Sequence, residues 1–286
     1  MFSCQEWDKF LITDQELAES YEKVGDLNRS WMKKFIAYLF CFYGHDSRVE
    51  YTSIGRQRAG FIHEKVSFPV SKVAIFADNH LRIWNRLLAA AIPAVAAGTN
   101  EISVFMIKNQ DESCPELLTS LELAGIENIF LNDRPDAVSA AELISNSPDT
   151  SLIDLSSRSL VDERLFKHPP GTEKYLRLSF TSTPRGLIWA ENLTDWDYEI
   201  LKWAHPDIEF IVGGVQASKA PEDFIKTDLE IHQLLQQPYD LFLGNGDIFR
   251  SSMIARGFSQ GMEPFWLWPE IDRSFFMENR VYWKEI

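Results

Sequence analysis

A chain of 286 residues, 45% hydrophobic and 24% charged, is long enough for two domains or one large α/β unit. It can bury a full core, which excludes a disordered tail. Its 42 acidic and 28 basic side chains leave a formal charge of −14, which repels nucleic-acid phosphates and anionic lipid, so neither nucleic acid nor membrane is expected as a partner.

No apolar run approaches the roughly 18 residues of a membrane span. The start, MFSCQEWDKF, carries acids where a signal peptide carries lysines, and Cys4, Cys41 and Cys114 are too scattered for a disulfide frame. A cytoplasmic location is expected. Residues 10–43 read as helical, with Thr13-Asp14-Gln15-Glu16 in capping-box form. Residues 47–68 are mixed. Lys72–Ala77 is a short apolar run of the kind buried on both faces of a parallel sheet. A helix is expected over 81–97, interrupted or kinked at Pro93 and stopped by Gly98. Strands are expected at 102–107, 128–131 and 152–155, with helices at 114–124 and 136–144 between them. Such alternation means βαβ crossovers and a parallel sheet. The stretch 163–174, with His168-Pro169-Pro170-Gly171, reads as a linker. Beyond it strands at 175–180, 186–190, 209–212 and 241–243 alternate with helices at 193–204 and 227–235, and the tail from Phe265 is rich in Trp and Phe. No internal repeat is visible.

Two stretches carry a resemblance. Leu87-Leu88-Ala89-Ala90-Ala91-Ile92-Pro93-Ala94-Val95-Ala96-Ala97-Gly98-Thr99-Asn100-Glu101-Ile102 and Leu117-Leu118-Thr119-Ser120-Leu121-Glu122-Leu123-Ala124-Gly125-Ile126-Glu127-Asn128-Ile129-Phe130 lie in a segment, Lys72 to Leu131, that resembles the histidinol dehydrogenase family within the aldehyde dehydrogenase-like superfamily. The resemblance implies a Rossmann-like fold and a nucleotide cofactor, NAD or NADP, since those relatives oxidise an amino alcohol with NAD and zinc. This sequence departs from the pattern at the turns. Ile75-Phe76-Ala77-Asp78-Asn79-His80 replaces a proline- and glycine-rich turn, Asp133-Arg134-Pro135-Asp136 lacks the Gln-bearing glycine turn, and Asp154-Leu155-Ser156-Ser157 stands for Gly-Pro-Gly-Asn. The metal ligands have no counterpart, so no metal site and no catalytic residue carry over.

Candidate site residues come instead from their places at strand ends. Asp78, Asn79 and His80 follow a strand, where His80 would act as acid–base group beside Asp78, or Asp78 or Asn79 would cap the next helix. Gly213 and Gly214 would let amides approach a phosphate or carboxylate, with Gln216 on a ribose or base edge, or would form a plain turn. Gly244-Asn245-Gly246 is a fragment of a dinucleotide loop or a turn. Ser179–Gly186, with Arg185, resembles the phosphate loop of adenylate-forming enzymes or is a hairpin turn. Cys114 starts a helix, as a nucleophile or as a structural residue.

The fold expected is α/β: a mostly parallel Rossmann-like sheet at 69–165, an N-terminal helical segment at 1–68 and a second, smaller α/β part at 175–286. The function expected is a degenerate histidinol or aldehyde dehydrogenase-like protein holding a nucleotide or small polar metabolite at the strand ends. The alternatives are a non-catalytic subunit or interaction module, homo-oligomeric through the aromatic tail, and an adenylate-forming-like nucleotide binder.

Overall fold

The computed structural model describes residues 7–44, 51–57, 60–78, 83–107, 114–145, 149–160, 174–178, 183–191 and 196–285. The chain divides into a first unit, Met1–Ser179 with Glu270–Ile286, and a second, Phe180–Pro269.

The first unit opens with helices α1 (Asp14–Lys23) and α2 (Asp26–Tyr43). Thr13 and Glu16 close the expected capping box: the Glu16 amide donates to Thr13 Oγ1 at 3.3 Å and the Thr13 amide to Glu16 Oε2 at 2.8 Å. Strands β1 (Tyr51–Gln57) and β2 (Phe61–Pro69) follow, in place of the helical segment expected through residue 68. Next come β3 (Lys72–Ala77), α3 (Trp84–Ala97), β4 (Glu101–Ile107), α4 (Pro115–Leu123), β5 (Asn128–Asn132), α5 (Arg134–Ser145), β6 (Thr150–Leu155) and β7 (Tyr175–Arg177). The sheet order is β5-β4-β3-β6-β7, parallel throughout. β3 is apolar and buried on both faces, and β6 is buried along its whole length although it carries Thr150, Ser151 and Asp154. Phe76, Phe105 and Phe130 stack across three strands on one face, at ring-centroid distances of 4.7 and 4.9 Å. Ala137, Ala140 and Ala141 of α5 cover them, small enough to bring that helix close.

Of the interruption or kink expected at Pro93, the interruption does not occur: helix α3 is continuous through it. Pro93 removes one amide donor, but nearly every α3 residue is buried, and that packing outweighs the local cost. Gly98 ends it at φ 90°, with its amide donating to Val95 O at 3.0 Å.

The second unit holds β8 (Arg185–Trp189), α6 (Tyr198–Ala204), β9 (Glu209–Gly213), β10 (Ile225–Lys226), α7 (Ile231–Leu234), β11 (Leu241–Leu243), α8 (Gly246–Arg250) and β12 (Gly257–Phe258). Its order, β10-β9-β8-β11-β12, is again fully parallel and follows the same doubly wound scheme as the first sheet. The helix expected over 227–235 shrinks to one turn at Ile231–Leu234, because the Thr227 amide donates at 3.0 Å to Val212 O and extends β10 instead. Trp266 and Trp268 of the aromatic tail are buried within this unit, with the Arg256 guanidinium 4.5 and 5.3 Å from their rings.

The last strand, β13 (Met277–Glu285), returns to the first unit and pairs antiparallel with β2 from Met277↔Pro69 to Glu285↔Phe61. Trp283 stacks on Phe61 at 4.8 Å, and Val281, Tyr282 and Trp283 stay exposed. Among the described residues no helix is long and apolar enough to cross a membrane.

Candidate functional site

In a doubly wound sheet the ligand crevice opens beyond the strand carboxyl ends where the order reverses. Here that point lies between β3 and β6, whose register, Lys72↔Thr150 to Ala77↔Leu155, sets their ends side by side. Asp78, the residue after β3, is 6% exposed and reaches across this point. Its Oδ2 accepts from the Ser157 amide at 2.7 Å and from the Ser157 hydroxyl. Asp154 in β6 is fully buried and binds the same loop from below. Its Oδ1 accepts from the Ser156 amide at 2.9 Å and from the Ser156 hydroxyl. Its Oδ2 accepts from the Leu160 amide at 3.0 Å and from Tyr175 Oη at 3.1 Å.

The loop after β6 is thus held inside out relative to an anion-binding turn. A turn that cradles a pyrophosphate presents free amides to it. Here the amides of Ser156, Ser157 and Leu160 are spent on two carboxylates of the protein itself. The carbonyls, meanwhile, meet cations: Arg177 Nη2 donates to Ser157 O at 3.3 Å and Arg134 Nη2 to Arg158 O at 2.8 Å. Arg134 begins α5, Arg158 lies in the loop and Arg177 ends β7, so three separate segments bring guanidiniums to one rim. Among the described residues none of the three has a carboxylate partner. The residues of this loop do not fit the pyrophosphate of NAD or NADP.

Burial pushes the Tyr175 hydroxyl up to about 12; the hydrogen bond with Ser159 opposes it, and the charge of Asp154 and the hydrogen bond to it add to the rise. A folded-state value above the unfolded one means that the folded protein keeps a proton the unfolded chain gives up. Stability therefore falls as pH rises from about 10 through about 12. Tyr175→Phe is expected to flatten this alkaline loss, and to remove one late-ionising group from the tyrosinate absorbance titration.

Asn79 and His80 lie outside the described residues, as do Ser179–Ser182 of the hydroxyl-rich stretch. Arg185 of that stretch is engaged: Nε lies 3.6 Å from Glu209, its amide donates to Asp240 at 3.0 Å, and its guanidinium sits 5.3 Å from the Tyr239 ring. Gly213 ends β9, and Gly214 and Gln216 follow it at the carboxyl edge of the second sheet. Gly214 has φ +97°, and a Cβ there would stand 2.6 Å from the Ala190 carbonyl oxygen. The Ala190 amide donates to Gly213 O at 2.9 Å and the Gln216 amide to Ala190 O at 3.2 Å, so the glycines let two strand ends approach each other. The half-buried Gln216 side chain makes no hydrogen bond among the described residues. Gly244 follows β11, and its amide donates to Phe258 O at 3.1 Å. Asn245 caps α8 by accepting from the Asp247 amide at 2.9 Å. Cys114 is the N-cap position of α4. No three His, Cys, Asp or Glu side chains gather as for a metal ion among the described residues.

No family model and no curated protein sequence matches the chain. Solved structures match it in three dimensions. Histidinol dehydrogenase from Elizabethkingia anophelis superposes with a TM-score of 0.58 at 13% identity, over 99% of this chain and 79% of that one. PnpE from Pseudomonas sp. WBC-3 gives 0.51 at 10% identity, over 94% and 84%. An aldehyde dehydrogenase from Brucella melitensis biovar abortus 2308 gives 0.47 at 9%, over 99% and 88%. At such identities the likeness is one of fold. The chain has a dehydrogenase-like α/β fold.

Within that fold the residues that organise the first rim are Asp78, Asp154, Tyr175 and the three arginines, and sequence reasoning reaches only Asp78 among them. Asp154 stands in an apolar run, Leu152-Ile153-Asp154-Leu155. A carboxylate inside a strand buried on both faces is itself a signal, because such a charge persists only when hydrogen-bonded.

Proposed function

We propose that this dehydrogenase-fold protein has left dinucleotide chemistry and holds a small polar metabolite at the carboxyl edge of its first sheet. One observation carries the reading: the loop after β6 gives its amides to Asp78 and Asp154 rather than to a ligand. A pyrophosphate brought to this turn would find the Ser156, Ser157 and Leu160 amides taken and two carboxylates behind them. Arg158 of this loop, with Arg134 and Arg177 bonded to its carbonyls, supplies the attraction for a smaller polar group. Among the described residues Cys41 and Cys114 form no disulfide, in keeping with a cytoplasmic protein.

Thermal unfolding in the presence of NAD, NADP and a panel of small phosphorylated and carboxylated metabolites tests this. A ligand at 100 times its dissociation constant stabilises by about 2.7 kcal/mol. The melting temperature is expected to stay put with both dinucleotides and to rise with members of the panel. A rise with NAD or NADP of the size that binding implies would overturn the reading.

A further inference from the structure

Resting on that reading, we infer that the ligand class is a phosphate monoester, recognised by Arg134, Arg158 and Arg177. In a chain of net charge −14, three guanidiniums without a carboxylate partner among the described residues are out of keeping with their surroundings. Asp133 and Asp136 flank Arg134 in sequence and form no ion pair with it. Each guanidinium carries five N–H donors in a planar fork. Arg177 and Arg134 spend one nitrogen each, on Ser157 O and Arg158 O. Those two bonds anchor the Arg134 and Arg177 side chains to the carbonyls of adjacent residues of one loop, the second of them Arg158 itself, and leave each fork with unspent donors. Arg158 and Arg177 are both exposed.

The arrangement favours phosphate over carboxylate. A phosphate monoester near neutral pH carries roughly −1.5 to −2 charge and three acceptor oxygens, enough for three forks, whereas one carboxylate satisfies a single fork. It also explains why a loop whose Ser156, Ser157 and Leu160 amides are spent on carboxylates sits at the ligand-binding end of the sheet. The positive charge that backbone amides and a helix terminus supply elsewhere is supplied here by side chains. A dinucleotide asks for an extended cradle along the turn, while a monoester asks for one clamp.

Titration calorimetry on the full chain at fixed ionic strength decides it. The probes are inorganic phosphate and glycerol phosphate, with acetate, a single carboxylate, as the carboxylate arm. Both phosphates are expected to bind and acetate to bind far more weakly. Arg158 makes no side-chain hydrogen bond among the described residues, so Arg158→Gln should leave the melting temperature unchanged. That variant should weaken phosphate binding about tenfold, the loss of one charge-assisted hydrogen-bonding group. Arg177→Gln should act likewise, and Arg158→Lys should recover part of the affinity. Equal binding of acetate, or phosphate binding indifferent to both Gln variants, overturns the assignment. So does silence with both phosphates, and that result leaves the metabolite reading standing if other panel members bind. Tight NAD binding would overturn the reading itself.

Discussion

Asp154→Ala is expected to destabilise the first unit by about 4 kcal/mol, because removing a buried acceptor strands its donors without solvent to replace it. Two backbone amides, Ser156 and Leu160, and two hydroxyls, Ser156 and Tyr175, converge on this one carboxylate. The side chain is fully buried in β6, opposite Phe76, so water cannot step in without opening the sheet. Asp154→Asn keeps the shape and one acceptor oxygen but turns a second acceptor into a donor aimed at other donors. It should cost less than the alanine change and more than a surface substitution. Urea unfolding followed by circular dichroism gives both values, the midpoint shifting with little change in slope. An alanine variant within about 1 kcal/mol of the parent would mean that the loop finds other partners, and the account of the inverted turn would fall with it.

The same residue shows what the sequence makes legible. Lys72–Ala77, expected as a buried parallel strand, has those bounds in the structure, because a run apolar on both faces reports its own burial. The part played by Asp78 is not local in that way. Its partner, Ser157, is 79 residues on, and the two meet only because β3 and β6 take a particular register. The rim arginines are illegible for the same reason, since three unremarkable surface residues become a cluster only once α5, β6 and β7 are set side by side. The strands β1, β2 and β13 escape notice for a different reason. Lying largely at the surface, they lack the alternation that burial imposes, and β13, Met277–Glu285, mixes Glu278, Arg280, Lys284 and Glu285 with Val281, Tyr282 and Trp283. Its pairing with β2 joins stretches some two hundred residues apart, which no window along the chain contains. In the second sheet β8, β9 and β11 are legible as short apolar runs, and only the edge strands are hidden, by brevity. β10 and β12 are two residues each, too short to leave a hydrophobic period.

Gly214→Ala is the second large effect, expected at about 3 kcal/mol from a side chain held at positive φ and pressed against backbone. The φ of +97° alone disfavours any Cβ, and the Ala190 carbonyl oxygen would lie 2.6 Å from it, a clash that no rotamer change relieves. The damage should spread to the Gln216 amide, whose 3.2 Å bond to that oxygen depends on the close approach. Gly246→Ala is the matching control. It lies at the start of α8, has no positive φ, and its Cβ would meet nothing within 4 Å, so the variant should stay within about 0.5 kcal/mol of the parent. Both glycines stand in turns that suggest phosphate binding when seen as sequence, and the two substitutions separate a glycine needed for strand-end packing from one that is not. A Gly214→Ala protein as stable as the parent would show that the turn relaxes away from Ala190. The pair of glycines would then be free to serve a ligand after all.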